Sequence, residues 1–297
     1  MKKLKMASRG YKAYIYILPW LIGFAVLQLY PFMASLVYSF TNYNAFGKMN
    51  FVGLDNYIRL FTKDKEFFKS LAVTINYTLM TVPGKIILSL AVALMLNQSR
   101  KGIGLMRTVF YLPSLFGGSI AVALLWKLLF NDNGLVNAIL HVFGAGKVSW
   151  LGDPKVALVT LSSLEVWQFG SSMVMFLAAL KQVPKSLYEA AGMDGANKIQ
   201  SFIHVTFPQI TPILFFTVIM QTINALQNFT SAFVITKGGP VKSTYMLGLK
   251  LYNDGFAYYK MGYASATSWI IFMLILVITL VLFGTQKYWV FYEDQTK

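Results

Sequence analysis

The chain has 297 residues, 56% of them hydrophobic and 12% charged, whereas soluble domains carry roughly 25% charged residues. That composition excludes a soluble enzyme or binding domain and implies a protein that crosses a membrane several times. The excess of 26 basic over 11 acidic residues would suggest nucleic acid in a soluble chain. No nucleic-acid-binding motif accompanies it, and the charge fits loops flanking anionic membrane lipid. With no cysteine there is no disulfide, zinc finger or thiol chemistry. His141 and His204 are too far apart in sequence to suggest a metal site.

Lys2, Lys3, Lys5, Arg9 and Lys12 precede an apolar run from Tyr14 to Phe40. The run is too long for a signal-peptide core and lacks a clear small-residue cleavage site, so it is expected to stay as a first span. Roughly 20 apolar residues cross a bilayer. Segments at about 14–40, 70–96, 108–130, 156–180, 209–235 and 264–285 qualify. Each is expected to be a helix, because a lone strand in lipid leaves its backbone groups unpaired. The predicted fold class is therefore all-α and integral to the membrane, with six transmembrane helices. Pro31, Pro83, Pro113 and Pro212 lie in or near these segments and are expected to kink them. Compact, acid-free basic clusters at residues 2–12 and 100–107 place both termini and the 181–208 connection in the cytoplasm. This divides the chain into a cytoplasmic N-terminus (1–13), a first span (14–40), a five-helix core (70–285) and a cytoplasmic tail (286–297).

Between the fourth and fifth segments lies a polar, small-residue stretch running from Glu189 to Ala196. Ser186 is expected to cap a helix whose first turn holds Glu189, where an acid suits the positive helix end. Ala190 and Ala191 keep that helix thin, so a partner surface can approach its backbone. Gly195 permits a turn that residues with a Cβ resist. A second short helix is expected from Asn197 to His204, ending at Pro208. The product is a rigid knob (186–208) on the cytoplasmic side.

Outer connections are expected at about 41–69, 131–155 and 236–263. In the first, Asp55 is expected to cap a short interfacial helix that shapes the outer face. In the third, Gly238-Gly239-Pro240 makes a tight, non-helical break.

Polar groups inside the spans need partners. Gln221, Asn224 and Asn228 follow i, i+3, i+7 spacing and share one face of an uninterrupted helix. They either meet a ligand or bond neighbouring helices. Glu165, Trp167, Gln168 and Ser171 lie at comparable depth in the fourth segment, and Ser114 and Gly118 follow Pro113 in the third. Glu165 is open to two roles: an ion pair with Lys85, or contact with a ligand. Lys127, near the end of its span, can snorkel.

The spacing Glu189-Ala190-Ala191, three residues, Gly195, nine residues and Val205-Thr206-Phe207-Pro208 resembles the EAA loop of bacterial ABC import permeases. Gly53-Leu54-Asp55-Asn56-Tyr57, Gly238-Gly239-Pro240 and Gly262-Tyr263-Ala264-Ser265-Ala266 are similar to motifs of the carbohydrate-uptake, maltose-type branch, in the same order. The resemblance implies a type I ABC importer permease fold with a cytoplasmic EAA coupling helix, in a bacterial plasma membrane. It implies a transporter subunit and not an enzyme. The chain has no G-x-x-x-x-G-K-[ST] phosphate loop, so ATP and Mg would be bound by a partner ATPase, with no cofactor in this chain. Implied partners are a second permease, two copies of that cytoplasmic ATPase and an extracellular solute-binding protein. Glu189, Ala190, Ala191, Asp194 and Gly195 would dock in an ATPase cleft.

In the maltose-type permease that the chain resembles, sugar contacts fall in the corresponding part of the fifth span. Asn228 keeps an amide used there, while Gln221 and Asn224 occupy contact positions with changed residue types. Trp167, Gln168 and Ser171 also fall on contact positions, none keeping its residue. The implied cargo is a sugar, an oligosaccharide in the first instance. The alternatives are a non-sugar solute such as a polyamine, or a self-standing channel. Glu165 is the sole acid within the expected spans, which argues against both a polyamine path and an embedded enzyme.

Overall fold

The computed structural model describes residues 14–292 except 15, 45, 48, 99 and 100. The basic residues at 2–12, Arg100 and Lys297, on which the expected orientation partly rests, lie outside the described residues, as does the tail from 293. Among the described residues the helices are α1 (Tyr16–Ser39), α2 (Asp55–Thr62), α3 (Lys65–Leu96), α4 (Ile103–Leu115), α5 (Ile120–Leu129), α6 (Leu135–Val142), α7 (Ala157–Trp167), α8 (Gly170–Gln182), α9 (Lys185–Met193), α10 (Lys198–Leu226), α11 (Leu247–Tyr252) and α12 (Met261–Trp289), with π turns at Ala232–Thr236 and Asn253–Ala257. Among the described residues the β-structure is a single bridge, Thr41 with Phe51.

Four helices, α1, α3, α10 and α12, are long and apolar enough to cross a membrane. Two further spans arise if each bent pair counts as one: α4 with α5, bent by 101°, and α7 with α8, bent by 46°. The expected continuous helices at 108–130 and 156–180 are therefore broken. Phe116, Gly117, Gly118 and Ser119 separate the first pair, with Gly118 at φ +71°. Gln168 and Phe169 separate the second. Hydropathy reports that a segment is apolar, not that its hydrogen-bond ladder is continuous.

The fifth segment departs most from expectation. Its helix, α10, ends at Leu226 instead of running to 235, and Gln227, Asn228 and Phe229 are non-helical. At its other end Pro208 does not terminate it. A π turn at Phe202–Thr206 carries the Phe207 amide to the Phe202 carbonyl, and Pro208 follows inside the continuing helix. The wider turn shifts the bonding register where the proline lacks a donor. Pro31 uses the same device: a π turn at Ala25–Leu29 sends the Tyr30 amide to Ala25, one residue before the ring. Helix α3 starts at Lys65, not 70, because its polar first turn is helical although not apolar. Two expected caps are also corrected. Asp55 is the first residue of α2 behind Leu54, and Ser186 lies inside α9 behind Pro184; neither helix has a side-chain cap bond.

The chain forms two compact units. One holds the described residues up to Asp64 with Leu251–Ile270. Here the Asn56 amide donates to the carbonyls of Ser39 and Thr41, both at 2.8 Å, and the Tyr57 hydroxyl donates to Ser39 Oγ at 2.7 Å. These bonds fasten α2 to the end of α1, so this motif is structural. The Tyr263 hydroxyl donates to Asp64 at 2.6 Å, with the Arg59 guanidinium 5.4 Å from its ring centroid.

The other unit holds Lys65–Lys250 and the described residues from Ile271. Its core has a layer around Tyr77, Trp126, Leu161 and Met246, and another around Ala93, Met173, Phe176 and Ile210. Helices α4 and α8 meet closely at Gly170. A Cβ there would stand 2.5 Å from the Phe110 carbonyl oxygen and 2.7 Å from Tyr111 Cα. Small residues at such crossings let backbones approach. Gly170→Ala should therefore destabilise the detergent-solubilised protein by about 1–3 kcal/mol, read as loss of thermal unfolding midpoint. An unchanged midpoint would show that the crossing can open at no cost.

Candidate functional site

The helix breaks of the second unit converge. Residues 114 and 117–119 from the α4–α5 break, Glu165, Gln168 and Ser171 around the α7–α8 break, and the end of α10 with residues 227–231 line one cavity of about 390 Å³. Non-helical backbone is tolerated at membrane depth where it lines such a cavity, and the volume falls in the range of small-ligand sites.

Of the residues singled out from sequence, Ser114, Gly118, Glu165, Gln168, Ser171, Gln221, Asn224 and Asn228 lie on this wall. Trp167 does not; it is 39% exposed and packs on Trp126 with ring centroids 5.4 Å apart. Gln221, Asn224 and Asn228 do not share one helical face, because the helix stops before Asn228. They reach the same cavity through the break instead.

The wall is internally braced. Lys85 Nζ donates to Glu165 Oε1 at 2.5 Å, the lysine side chain being 6% and the glutamate 24% exposed. The ion pair exists, and both of its members line the cavity, so pairing and ligand contact are compatible roles for Glu165. The Asn228 amide donates to the Tyr77 hydroxyl at 3.0 Å, and its Oδ1 accepts from Ser231 Oγ at 2.5 Å. Gln221 donates to Ser172 Oγ at 3.1 Å. Thus Gln221 and Asn228 hold elements together. The Gln168 and Asn224 side chains make no hydrogen bond among the described residues, which leaves two amides for a ligand. Sequence reading did not select Ser119, Gln227, Phe229, Thr230 or Ser231, which also line the wall. The polar run Gln227-Asn228 followed by Thr230-Ser231 was the available signal for a break.

The second feature is the knob. Helix α9 runs to Met193, Asp194 follows, and Gly195 turns the chain at φ +78°. Asn197 then starts α10 with a reciprocal capping box, its side chain accepting from the Ile199 and Gln200 amides while Gln200 accepts from its own. This is the short second helix expected from Asn197, fused here into a long one. Tyr188 and Thr206 are hydrogen-bonded at 2.9 Å and anchor α9 to α10. Ala190, Ala191, Asp194, Gly195 and His204 line a groove of about 490 Å³. Glu189 is exposed but lies outside that lining, and Met193 and Ile199 expose 85% and 71% of their surface beside it. Among the described residues no group of three or more His, Cys, Asp or Glu side chains is placed to hold a metal ion.

Comparison with known proteins follows the same lines. The family model described as "Binding-protein-dependent transport system inner membrane component" matches residues 57–290. The chain is 45% identical over 299 residues to the probable ABC transporter permease protein YesP of Bacillus subtilis strain 168, covering 99% of this chain and 97% of that one. It is 35% identical over 285 residues to the trehalose/maltose transport system permease protein MalF of Thermococcus litoralis, covering 94% of each. Its fold matches a chain of a bacterial ABC transporter involved in the import of the acidic polysaccharide alginate, with a TM-score of 0.82, 23% identity and coverage of 97% and 99%. The all-α architecture is thus that of a type I importer permease, and the chain belongs to the family of inner membrane components of binding-protein-dependent transport systems.

Proposed function

We propose that the chain is one permease subunit of an ABC importer that moves a sugar, in the first instance an oligosaccharide, into the cell by ATP-driven alternating access. The observation that carries this reading is the convergence of helix breaks on one amide-lined cavity. Sugars need hydroxyl partners along a bounded path, and Gln168, Asn224 and Glu165 offer them. The names of the relatives point the same way, covering trehalose/maltose, lactose and arabinooligosaccharide transport.

The knob is the input end. Glu189, Ala190, Ala191, Asp194 and Gly195 dock in a cleft of a cytoplasmic ATPase, two copies of which bind ATP and Mg and supply the hydrolysis. A second permease completes the membrane path, and an extracellular binding protein delivers cargo. The alginate transporter was solved in complex with an alginate pentasaccharide-bound periplasmic protein, which supports that last partner. Closure of the ATPase dimer moves α9, and the Tyr188–Thr206 bond carries the motion to α10, whose far end lines the cavity. Both termini are cytoplasmic in this arrangement.

Purification of the tagged protein from its host in mild detergent tests the assembly. A second multi-span permease and a P-loop ATPase should accompany it; recovery of the chain alone with transport activity would return the reading to a self-standing channel. For the cavity, Asn224→Ala should raise the KM for uptake about two- to tenfold, the worth of one hydrogen bond, with expression unchanged. Wild-type uptake kinetics across the sugars transported would remove Asn224 from the path.

A further inference from the structure

A second polar pocket lies away from the transport cavity and from the docking groove. It occupies about 630 Å³ and is lined by Asn97 and Gln98 after α3, by Lys101 and the start of α4, by Arg107, and by Lys181 of α8. Among the described residues, three segments of the fold thus bring three cations to one concavity, and no carboxylate lines it. None of the three pairs with an acid among the described residues. Like charges around a common hollow repel, and an anion nearby relieves that repulsion.

The details fit a phosphate. The Arg107 Nη2 donates to the Leu96 carbonyl at 2.8 Å, which fixes the guanidinium on the wall. Its Nε is shielded from solvent without an acceptor, so the guanidinium is short of partners in this arrangement. Ile103 and Gly104 bring in the first turn of a 13-residue helix, α4, whose positive end adds to the same field. Asn97 and Gln98 contribute neutral amides beside the cations. Planar guanidinium, mobile ammonium groups and amide donors form the donor set that phosphate oxygens take.

We propose that this pocket binds a phosphate group, carried either by an anionic lipid headgroup or by a soluble phosphate. Lys181 stands in the last turn of α8, and α9 starts at Lys185. A phosphate bridging Lys181 to Lys101 and Arg107 therefore braces the base of the docking helix against the α3–α4 connection. The site responds to membrane composition or to phosphate, independently of cargo.

The purified complex, delipidated in detergent, is titrated with dioleoylphosphatidylglycerol and with dioleoylphosphatidylcholine, and bound lipid is read by native mass spectrometry. Radiolabelled inorganic phosphate is titrated in parallel by equilibrium dialysis. Phosphatidylglycerol should bind in preference to phosphatidylcholine. Lys101→Gln and Lys181→Gln should each weaken it about fivefold, the effect of one basic residue at a lipid surface. Arg107→Gln should do at least as much, with Arg107→Lys between it and wild type. Lys155→Gln, which removes an exposed charge elsewhere, should leave the affinity unchanged and controls for overall charge. If inorganic phosphate binds and the same substitutions abolish it while lipid retention is equal in all variants, the pocket serves a soluble phosphate. If neither probe distinguishes the pocket variants from Lys155→Gln, the proposal fails. Lys101 and Lys181 are exposed side chains, so the test stands even if the Arg107 variants do not fold.

Discussion

Replacing Gly195 by arginine should lower uptake by at least about 100-fold while leaving the amount of protein in the membrane unchanged. Gly195 stands at φ +78°, and no heavy atom lies within 4 Å of where a Cβ would be. An arginine therefore meets no clash within its own chain. Its cost to folding is the left-handed backbone conformation, about 1–2 kcal/mol, on a loop outside the core. What it fills is the groove shared with Ala190, Ala191 and His204. A guanidinium there blocks a partner surface that needs the backbone close. Gly195→Ala separates the two effects, since it carries the same backbone strain without the bulk; it should keep most of the uptake. The ATPase should co-purify with wild type and the alanine variant and be lost from the arginine variant. Wild-type uptake in Gly195→Arg, or equal loss in Gly195→Ala, would remove the docking assignment.

The second large effect concerns the buried pair. Lys85→Met leaves Glu165 in a wall where its cation was 2.5 Å away. Removing one partner of a buried pair costs about 3–5 kcal/mol. The partial exposure of Glu165 puts the expectation near the low end, about 3 kcal/mol. Denaturation in mixed micelles should show this loss for Lys85→Met, and recovery of most of it in Lys85→Met combined with Glu165→Met. The double variant then separates two roles that the geometry allows together. A stable double variant with normal uptake makes Glu165 purely structural. A stable double variant that no longer transports makes its carboxylate part of the ligand path. If Lys85→Met is as stable as wild type, the pair contributes nothing to the fold.

The membrane-spanning character, the knob and about half of the cavity lining were legible in the residues, for a simple reason. Apolar length, the Glu189-to-Gly195 spacing and in-span amides such as Gln221 and Asn224 are local facts. The breaks in the third and fourth segments were not legible. Gly117-Gly118 and Gln168 sit inside runs whose average hydropathy is high, and nothing local states that the helix stops there. The same blindness carried the i, i+3, i+7 argument past Leu226 to Asn228, which reaches the cavity by leaving the helix. Pro208 misled in the opposite direction, because a π turn supplies a register in which a proline is harmless. Trp167 illustrates a third limit: positional correspondence brought it into the site, whereas local packing turns its ring to Trp126.

Helix α10 is a single rod from the capping box at the knob to the cavity, unbroken from Lys198 to Leu226. At 1.5 Å per residue, Asn224 stands about 39 Å along the axis from Lys198. A lever of that length amplifies. Pivoting by ~5° at the knob sweeps the far end through ~3.4 Å, more than the length of a hydrogen bond. If the knob docks as proposed, a displacement too small to disturb that contact is large enough to exchange one set of cavity bonds for another, and the gearing resides in the length of one helix.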